Sequence, residues 1–413
     1  MTRSIINLFL TIFFSGIIAL LIYKKILYPT IIPMISDGTL YVFSDWNHTI
    51  NANICVKEGI DVYIENPCDP WGGKHNYGQI LLHLPFVEKF KKIYLFYIPI
   101  LINFIFILLI VIFFNTYKTK KNYFILFFMF SPPFLLAIER ANMDVLIFLI
   151  LFILCRYKNL ILNYFLILLS FAMKFYPIFF GIILLFKKRF RQILVNVAIL
   201  FLLVIVFTLF QSETFIKVFN NQSSFTGESV HQFSFKGLIA SFEIFNISYG
   251  GREQNLIKYF LLFFLFGLPV FFYTKYFLKI IKNNTFLVEI FETNNFENRI
   301  YLASSITLII CYLLVQNWLY REIFFLGLVP WVLSNDHKKN SFIDILFYSI
   351  LIKFILTTVL VFLVQNYNYI YLNYDQLLTF FKNLMDFYLM WIISIILLFN
   401  LTQYSKKLKS SGF

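Results

Sequence analysis

Charged side chains are scarce in this chain, and several of them interrupt long apolar runs in groupings suited to holding an anion and activating a hydroxyl. Glu139, Arg140 and Asp144 stand in ERANMD, Lys174 in MKFYP, and Arg321 with Glu322 in NWLYRE. A charge at the centre of a membrane helix costs at least about 2.5 to 3.5 kcal/mol on insertion scales, so each of these is a functional hypothesis by default. Arg140, Lys174 and Arg321 come from three separate segments and point to a bound anion; phosphate is the anion that arginine and lysine together recognise. Beside a bilayer, that anion is a lipid phosphate. A reaction that expels one needs cations around the leaving group and a single base for the attacking hydroxyl, not the carboxylate pair of a glycosidase. Asp45, after the first apolar run and at the head of a short polar helix, is placed to be that base. The ordinary alternative is structural ion pairing, with Glu139 or Asp144 neutralising Arg140 and Glu322 neutralising Arg321.

The elements that must position these residues are membrane helices. The 413 residues are 60% hydrophobic, 21% aromatic and only 14% charged, with a mean hydropathy of +0.77, outside the range of a water-soluble domain. Residues Ile5–Tyr23, Tyr94–Phe114, Ile193–Phe210, Leu256–Leu278, Phe342–Val364 and Leu377–Asn400 each approach or exceed the roughly 20 residues needed to cross a hydrocarbon core. The net charge of +14 sits in short clusters between these runs, which argues for topology and against nucleic acid as a partner. The clusters fall on one side if the N-terminus is cytoplasmic and about twelve apolar segments alternate. The expected product is one integral membrane domain, 1–413, with a long first outer loop (24–93), a middle outer loop (211–255), a cytoplasmic loop (279–298) and both termini cytoplasmic.

The stretch 122–186 is the most telling part of this plan. As one helix, 122–156 would be roughly 50 Å long, too much for one crossing, so it must break, and ERANMD is its only polar interruption. Lys174 and Pro177 break the next segment in the same way. Two hairpins with arms of only about 11 to 14 residues place Arg140 and Lys174 in a cavity below the outer surface. In the first outer loop, 44–59 reads as an amphipathic surface helix with Asp45 as N-cap and Gly59 as its stop.

This pattern resembles the GT-C superfamily of membrane glycosyltransferases, nearest the polyprenyl-phosphate-mannose-dependent mannosyltransferases. The shared motifs run in order: Asp45, Gly59, Tyr63, NPCDP at 66–70 with Asp69, Tyr77, then Arg140-Ala141-Asn142 with Asp144, then Lys174, Tyr176 and Pro177, and late in the chain Tyr320 and Arg321. Asn221–Ser223 with Lys236 loosely matches a further segment of the middle loop, and Ala141 stands where glycine is commoner in the family. The resemblance implies an all-α, GT-C-like bundle of about twelve transmembrane or re-entrant helices. It also implies transfer of a mannose-like hexose, with inversion, from a polyprenyl-phosphate donor to a lipid or glycan acceptor outside a bacterial inner membrane. By that likeness Asp45 is the general base; Arg140, Lys174 and Arg321 hold the donor phosphate, joined by His231 or Arg252; and Asn142, Asp144, Tyr176, Tyr320, Tyr77 and Asp69 support them.

No cofactor or metal is expected, because the five histidines show no ligand spacing and no HExxH or CxxC occurs. His48, one turn from Asp45, reads as solvent-facing more readily than as a partner of that carboxylate. Cys55 and Cys68 share the first loop and can pair if it faces an oxidising compartment. Two other classes compete with a transferase: a flippase or transporter of lipid-linked saccharides, and a polysaccharide polymerase or ligase with a diphosphate-linked donor. A transporter commonly shows broken helices in matching halves, whereas here the breaks are confined to the first half.

Overall fold

The structure, a computed structural model, describes residues 3–24, 26, 42–69, 72–117, 119–186, 190–221, 233–241, 267, 271, 275, 279, 290–291, 293–314, 319–336, 341–367 and 372–410. No strand occurs among them. Five helical stretches are long and apolar enough to cross a membrane: Ser4–Tyr23, Ile93–Phe113, Phe190–Phe210, Ile343–Leu363 and Leu378–Lys406. They coincide with five of the six runs expected from the sequence. The sixth, 256–278, lies largely outside the described residues, and the other segments of the expected dozen are shorter or more polar than a crossing needs. Large apolar side chains such as Phe9, Ile12 and Phe201 are more than half exposed, which lipid accommodates and water does not.

The expected breaks in 122–186 are present. In place of two long helices there are α4 (Tyr123–Met129), α5 (Pro132–Glu139), α6 (Met143–Arg156), α7 (Leu160–Met173) and a 3-10 helix, Tyr176–Leu185, when α1 to α3 are Arg3–Tyr23, Ser44–Lys57 and Ile98–Thr116. Each break has a local chemical cause. Pro132 and Pro133 open α5, where a missing N–H costs nothing. Asn142 caps α6 by accepting from the Asp144 amide at 2.9 Å, and Asn159 caps α7 through the Leu162 amide at 3.1 Å. The last carbonyls of α6 accept from Arg299, at 2.6 Å from Leu154 and 3.0 Å from Tyr157.

Between the helices lies a core dominated by phenylalanine. Phe106 packs on Phe134 and Phe148, Phe148 on Phe324, and Phe128 on Phe354, with centroids 5.2 to 5.8 Å apart. Van der Waals packing of this kind is what joins helices when the surrounding medium is itself apolar. The 3-10 helix Leu319–Gly327 comes close to Phe296–Leu314 because Gly327 has no side chain: a Cβ there would sit 1.9 Å from Ser304 Oγ.

The segment expected as the first outer loop differs from its expected form in two respects. Helix α2 is not a surface helix: Ile50, Ala52, Asn53 and Cys55 are fully buried, and the Asn53 amide donates to the carbonyls of Leu81, Leu82 and Leu84. Nor is Asp45 its cap. Phe43 occupies that position at φ 65, leaving Asp45 in the first turn with its side chain turned to α5 and α6. Gly59, at φ 83, does end the helix as expected. Cys55 and Cys68 form a disulfide.

Replacing both cysteines by serine should lower the local stability of the loop by about 2 to 4 kcal/mol. The measurement is amide hydrogen exchange over 44–83, with α6 and α7 as internal reference. Unchanged protection of the loop would mean that packing and the Asn53 hydrogen bonds hold it without the crosslink.

Candidate anion site at the broken helices

The turn between α5 and α6 is the platform of the site. The Asn142 amide donates to the Ala137 carbonyl at 2.9 Å and the Ala141 amide to that of Ile138 at 3.1 Å, a helix C-terminus that requires a left-handed residue at Ala141, whose φ is 44. This is the position at which the motif prefers glycine, and the reason is now visible: the turn needs positive φ. Helix α2 docks on this turn through Phe43 N–H to the Glu139 carbonyl at 2.8 Å and a longer contact from the Trp46 amide to that of Arg140. The second break is docked in the same manner. The Gly78 amide donates to the Met173 carbonyl at 3.0 Å, and any Cβ at Gly78 would lie 1.9 Å from the Ala172 carbonyl oxygen. That approach brings the Tyr77 ring under the Lys174 ammonium, 4.9 Å from its centroid.

Asp144 lies at the centre. Its Oδ1 receives the Lys174 ammonium at 2.5 Å and the Tyr176 hydroxyl at 2.8 Å, and its Oδ2 lies 3.5 Å from Arg321 Nε. Arg321 also stands over the Tyr176 ring at 5.0 Å and reaches Cys311 Sγ at 3.7 Å, while Lys174 is 5.8 Å from the centre of the Tyr320 ring. A second carboxylate joins from α2. Asp45 Oδ1 accepts from Arg140 at 3.1 Å, and its Oδ2 accepts a short hydrogen bond from the Asn142 side-chain Nδ2. Because Asn142 Oδ1 also lies 3.4 Å from Lys174 Nζ, the two carboxylate groups share one network.

The structure therefore brings together Asp45, Arg140, Asn142, Asp144, Lys174, Tyr176, Tyr320, Arg321 and Tyr77. Their side chains are graded in depth: Asp144 is fully buried and Lys174 5% exposed, whereas Asp45, Arg140 and Arg321 keep 15 to 18% of their surface. Three cations face the carboxylates of Asp45 and Asp144, with the buried Glu139 adding its charge near Arg140, in a region of low dielectric where an entering anion would meet donors already directed by their partners.

Two sequence expectations about pairing are corrected. Arg140 pairs with Asp45, with the charge of Glu139 close enough to help neutralise it, and Glu322 pairs with Lys353 and Lys382, not with Arg321. In a 3-10 helix consecutive residues point about 120° apart, so Arg321 faces Asp144 while Glu322 faces away. Asp45 is also not isolated at the mouth of the site, since both of its oxygens are engaged. His231 and Arg252 lie outside the described residues. Asn221 is used structurally, donating to the carbonyls of Tyr63 and His75, and Lys236 is exposed.

Sequence reasoning missed an imidazole cluster beside Asp45. His48 is not solvent-facing: its Nδ1 lies 3.2 Å from Asp69 Oδ1, its ring stacks on His75 at 5.7 Å, and it meets Tyr77 edge-on at 6.3 Å. Asp69 is thus connected to the site through His48 and is held from its other oxygen by the Gly73 amide at 2.7 Å. Burial, aided by the nearby His48 ring, pushes the His75 pKa down to about 3. The hydrogen bond from Lys217 holds Asp61 below the usual carboxylate value.

Comparison with protein-family models, curated proteins and solved structures yields no match to this chain.

Two outcomes test this geometry. Ala141→Gly should raise stability by about 1 kcal/mol, since a left-handed alanine is strained and a glycine is not, whereas Ala141→Val should lower it; thermal unfolding of the purified chain measures both. The imidazole of His75 sets a pH dependence. An unfolded histidine binds a proton near pH 6.5 that the buried ring refuses, so loop stability is complete above about pH 6.5 and declines as pH falls. Exchange over 61–78, corrected for intrinsic rates, should therefore accelerate between about pH 6.5 and 4.5, above the range where Asp61 contributes, and His75→Phe should abolish that change.

Proposed function

We propose that this chain is an integral membrane glycosyltransferase of the GT-C type, moving a hexose from a polyprenyl-phosphate donor to a lipid or glycan acceptor. The observation that carries the reading is the convergence of Arg140, Lys174 and Arg321, from three separate elements, on a network that ends in one partly exposed carboxylate, Asp45. These residues are the ones that the motif resemblance singled out, and their meeting was not required by any of the motifs alone. The disulfide supports an orientation in which the first loop faces an oxidising compartment, outside the cytoplasmic face of a bacterial inner membrane. The bundle of about twelve crossing or re-entrant segments and the cytoplasmic termini belong to the same proposal.

In this reaction the acceptor hydroxyl attacks the anomeric carbon of the donor. Its O–H proton passes to a carboxylate oxygen of Asp45, a new C–O bond forms, and the bond from the anomeric carbon to the phosphate oxygen breaks. The electron pair leaves on the polyprenyl phosphate, whose added charge Lys174, Arg140 and Arg321 stabilise. Arg140 has a double part. It is the partner of Asp45 and one of the cations that hold the donor phosphate, so it ties the base to the leaving group.

The decisive assay incubates membranes containing the chain with radiolabelled polyprenyl-phosphate mannose, glucose or arabinose and looks for a labelled product. Asp45→Asn should cut turnover by about 10²- to 10⁴-fold with donor affinity retained, whereas Lys174→Ala should weaken donor binding by about tenfold or more. Full transfer by the Asp45→Asn protein would remove Asp45 as the base. Absence of transfer from every polyprenyl-phosphate donor, with uptake of a lipid-linked saccharide into vesicles instead, would favour a flippase.

A further inference from the structure

A second group of buried charges among the described residues lies outside the site. Glu322, the residue after Arg321, is fully buried. Its carboxylate contacts the Lys353 ammonium and lies 3.9 Å from that of Lys382. Asp386, one turn after Lys382, completes the group at 2.8 Å from Lys382 and 3.5 Å from Lys353. All four side chains are at most 1% exposed, and with two acids and two bases the group is neutral. Lys353 is further enclosed by the rings of Phe325 and Phe354, at 5.1 and 4.8 Å. The members come from three elements: the 3-10 helix 319–327 and the helices Ser341–Tyr367 and Leu372–Ser410.

Adhesion alone does not account for this arrangement. Each ion loses its hydration, and apolar side chains of similar volume would join the same helices at least as firmly. What ions supply and leucines do not is direction, because a slipped register leaves a buried charge unpaired. The direction matters here because Glu322 and Arg321 occupy neighbouring positions on a helix with 120° between residues. Holding Glu322 on Lys353 and Lys382 sets the rotation of 319–327, and with it the aim of Arg321 at Asp144 and of Tyr320 at Lys174.

We propose that the Glu322–Lys353–Lys382–Asp386 tetrad is a register lock that positions Arg321 in the anion site, making Glu322 of the 3-10 helix and Lys353, Lys382 and Asp386 of the helices Ser341–Tyr367 and Leu372–Ser410 positioning residues for that site. The functional importance of the lock rests on the proposed phosphate-binding role of Arg321; its geometry does not.

The test uses the full chain purified in lipid nanodiscs, with the fourfold replacement Glu322→Leu, Lys353→Met, Lys382→Met, Asp386→Leu. Arg321 is followed without any substrate by its rate of modification with phenylglyoxal, read by mass spectrometry, with Arg140 as internal control. A variant that melts like the wild type should show Arg321 modified at least about tenfold faster with Arg140 unchanged, and should bind farnesyl phosphate about tenfold more weakly, as expected for loss of one charged hydrogen bond. Wild-type Arg321 reactivity in a stable fourfold variant overturns the lock. Should the fourfold replacement not fold, Lys382→Met with Asp386→Leu, a neutral pair within one helix, carries the same comparison with the same two outcomes. In Lys353→Arg, which keeps the charge, Arg321 should regain its protection. Failure of wild type to bind farnesyl phosphate would count against the proposed function and leave the reactivity result to decide the lock.

Discussion

An ionised carboxylate withdrawn wholly from water must be compensated by its neighbours, and the arrangement around Asp144 follows from that demand. Its compensation comes from the Lys174 ammonium, the Arg321 guanidinium, the Tyr176 hydroxyl and the amino end of α6, where the partial positive charge of the helix lies. Each of these sources depends on a departure from regular structure. The amino end of α6 exists because the chain breaks at 140–142. Lys174 points at Asp144 because α7 stops at Met173, and Tyr176 because a 3-10 helix starts two residues later. A set of unbroken helices could not bring three backbone termini and two cations to one point in an apolar interior.

The breaks in turn need cover, since the ends of helices leave backbone groups without partners. The segment 42–83 supplies it. Phe43 and Gly78 donate to carbonyls at the two breaks; the first contact demands a left-handed phenylalanine, the second a residue without a side chain, since Gly78 is pressed against Ala172. The loop is itself stiffened by the disulfide and by Asn53. Asp45, Tyr77 and His48 are thus carried to the site by an element whose structural duty is to close the ends of α5 and α7.

Much of this was legible from residue type and position, and what was not legible has identifiable causes. Residues 122–156 are too long for one crossing and ERANMD is their only polar interruption, so the first break followed from length and solvation, and the second from Lys174 with Pro177. The partners of those charges did not. Asp45 and Arg140 are far apart in sequence, and no periodicity links them. Glu322 was paired with Arg321 by adjacency, an inference that fails when the local helix is 3-10 and neighbours diverge by about 120°. His48 was read as solvent-facing because its partner Asp69 lies in an aperiodic, turn-rich stretch. The tetrad had a visible signal: Lys353 stands in the middle of an apolar span, and Lys382 and Asp386 are four apart. The solvation rule applied to ERANMD applies equally to Lys353.

The ion pairs also bear on how such a site works. Cations left unpaired in an apolar interior would be too costly to keep, and a site made wholly of matched pairs would have little to offer an anion. The arrangement around Asp144 lies between these limits: Arg140 has Asp45 with Glu139 nearby, whereas the single carboxylate of Asp144 is divided between Lys174 and Arg321. Arg321 at 3.5 Å is the looser of these two partners and retains more exposure than Lys174. Arg140 and Arg321, the more exposed cations, are therefore the ones an incoming phosphate would engage first, with Lys174 as the fixed floor. For the proposed transfer this ordering has a mechanistic consequence. Arg140 is the partner of Asp45, so a phosphate that engages it lies next to the proposed base, and the attacking hydroxyl and the leaving group are held within one network of contacts.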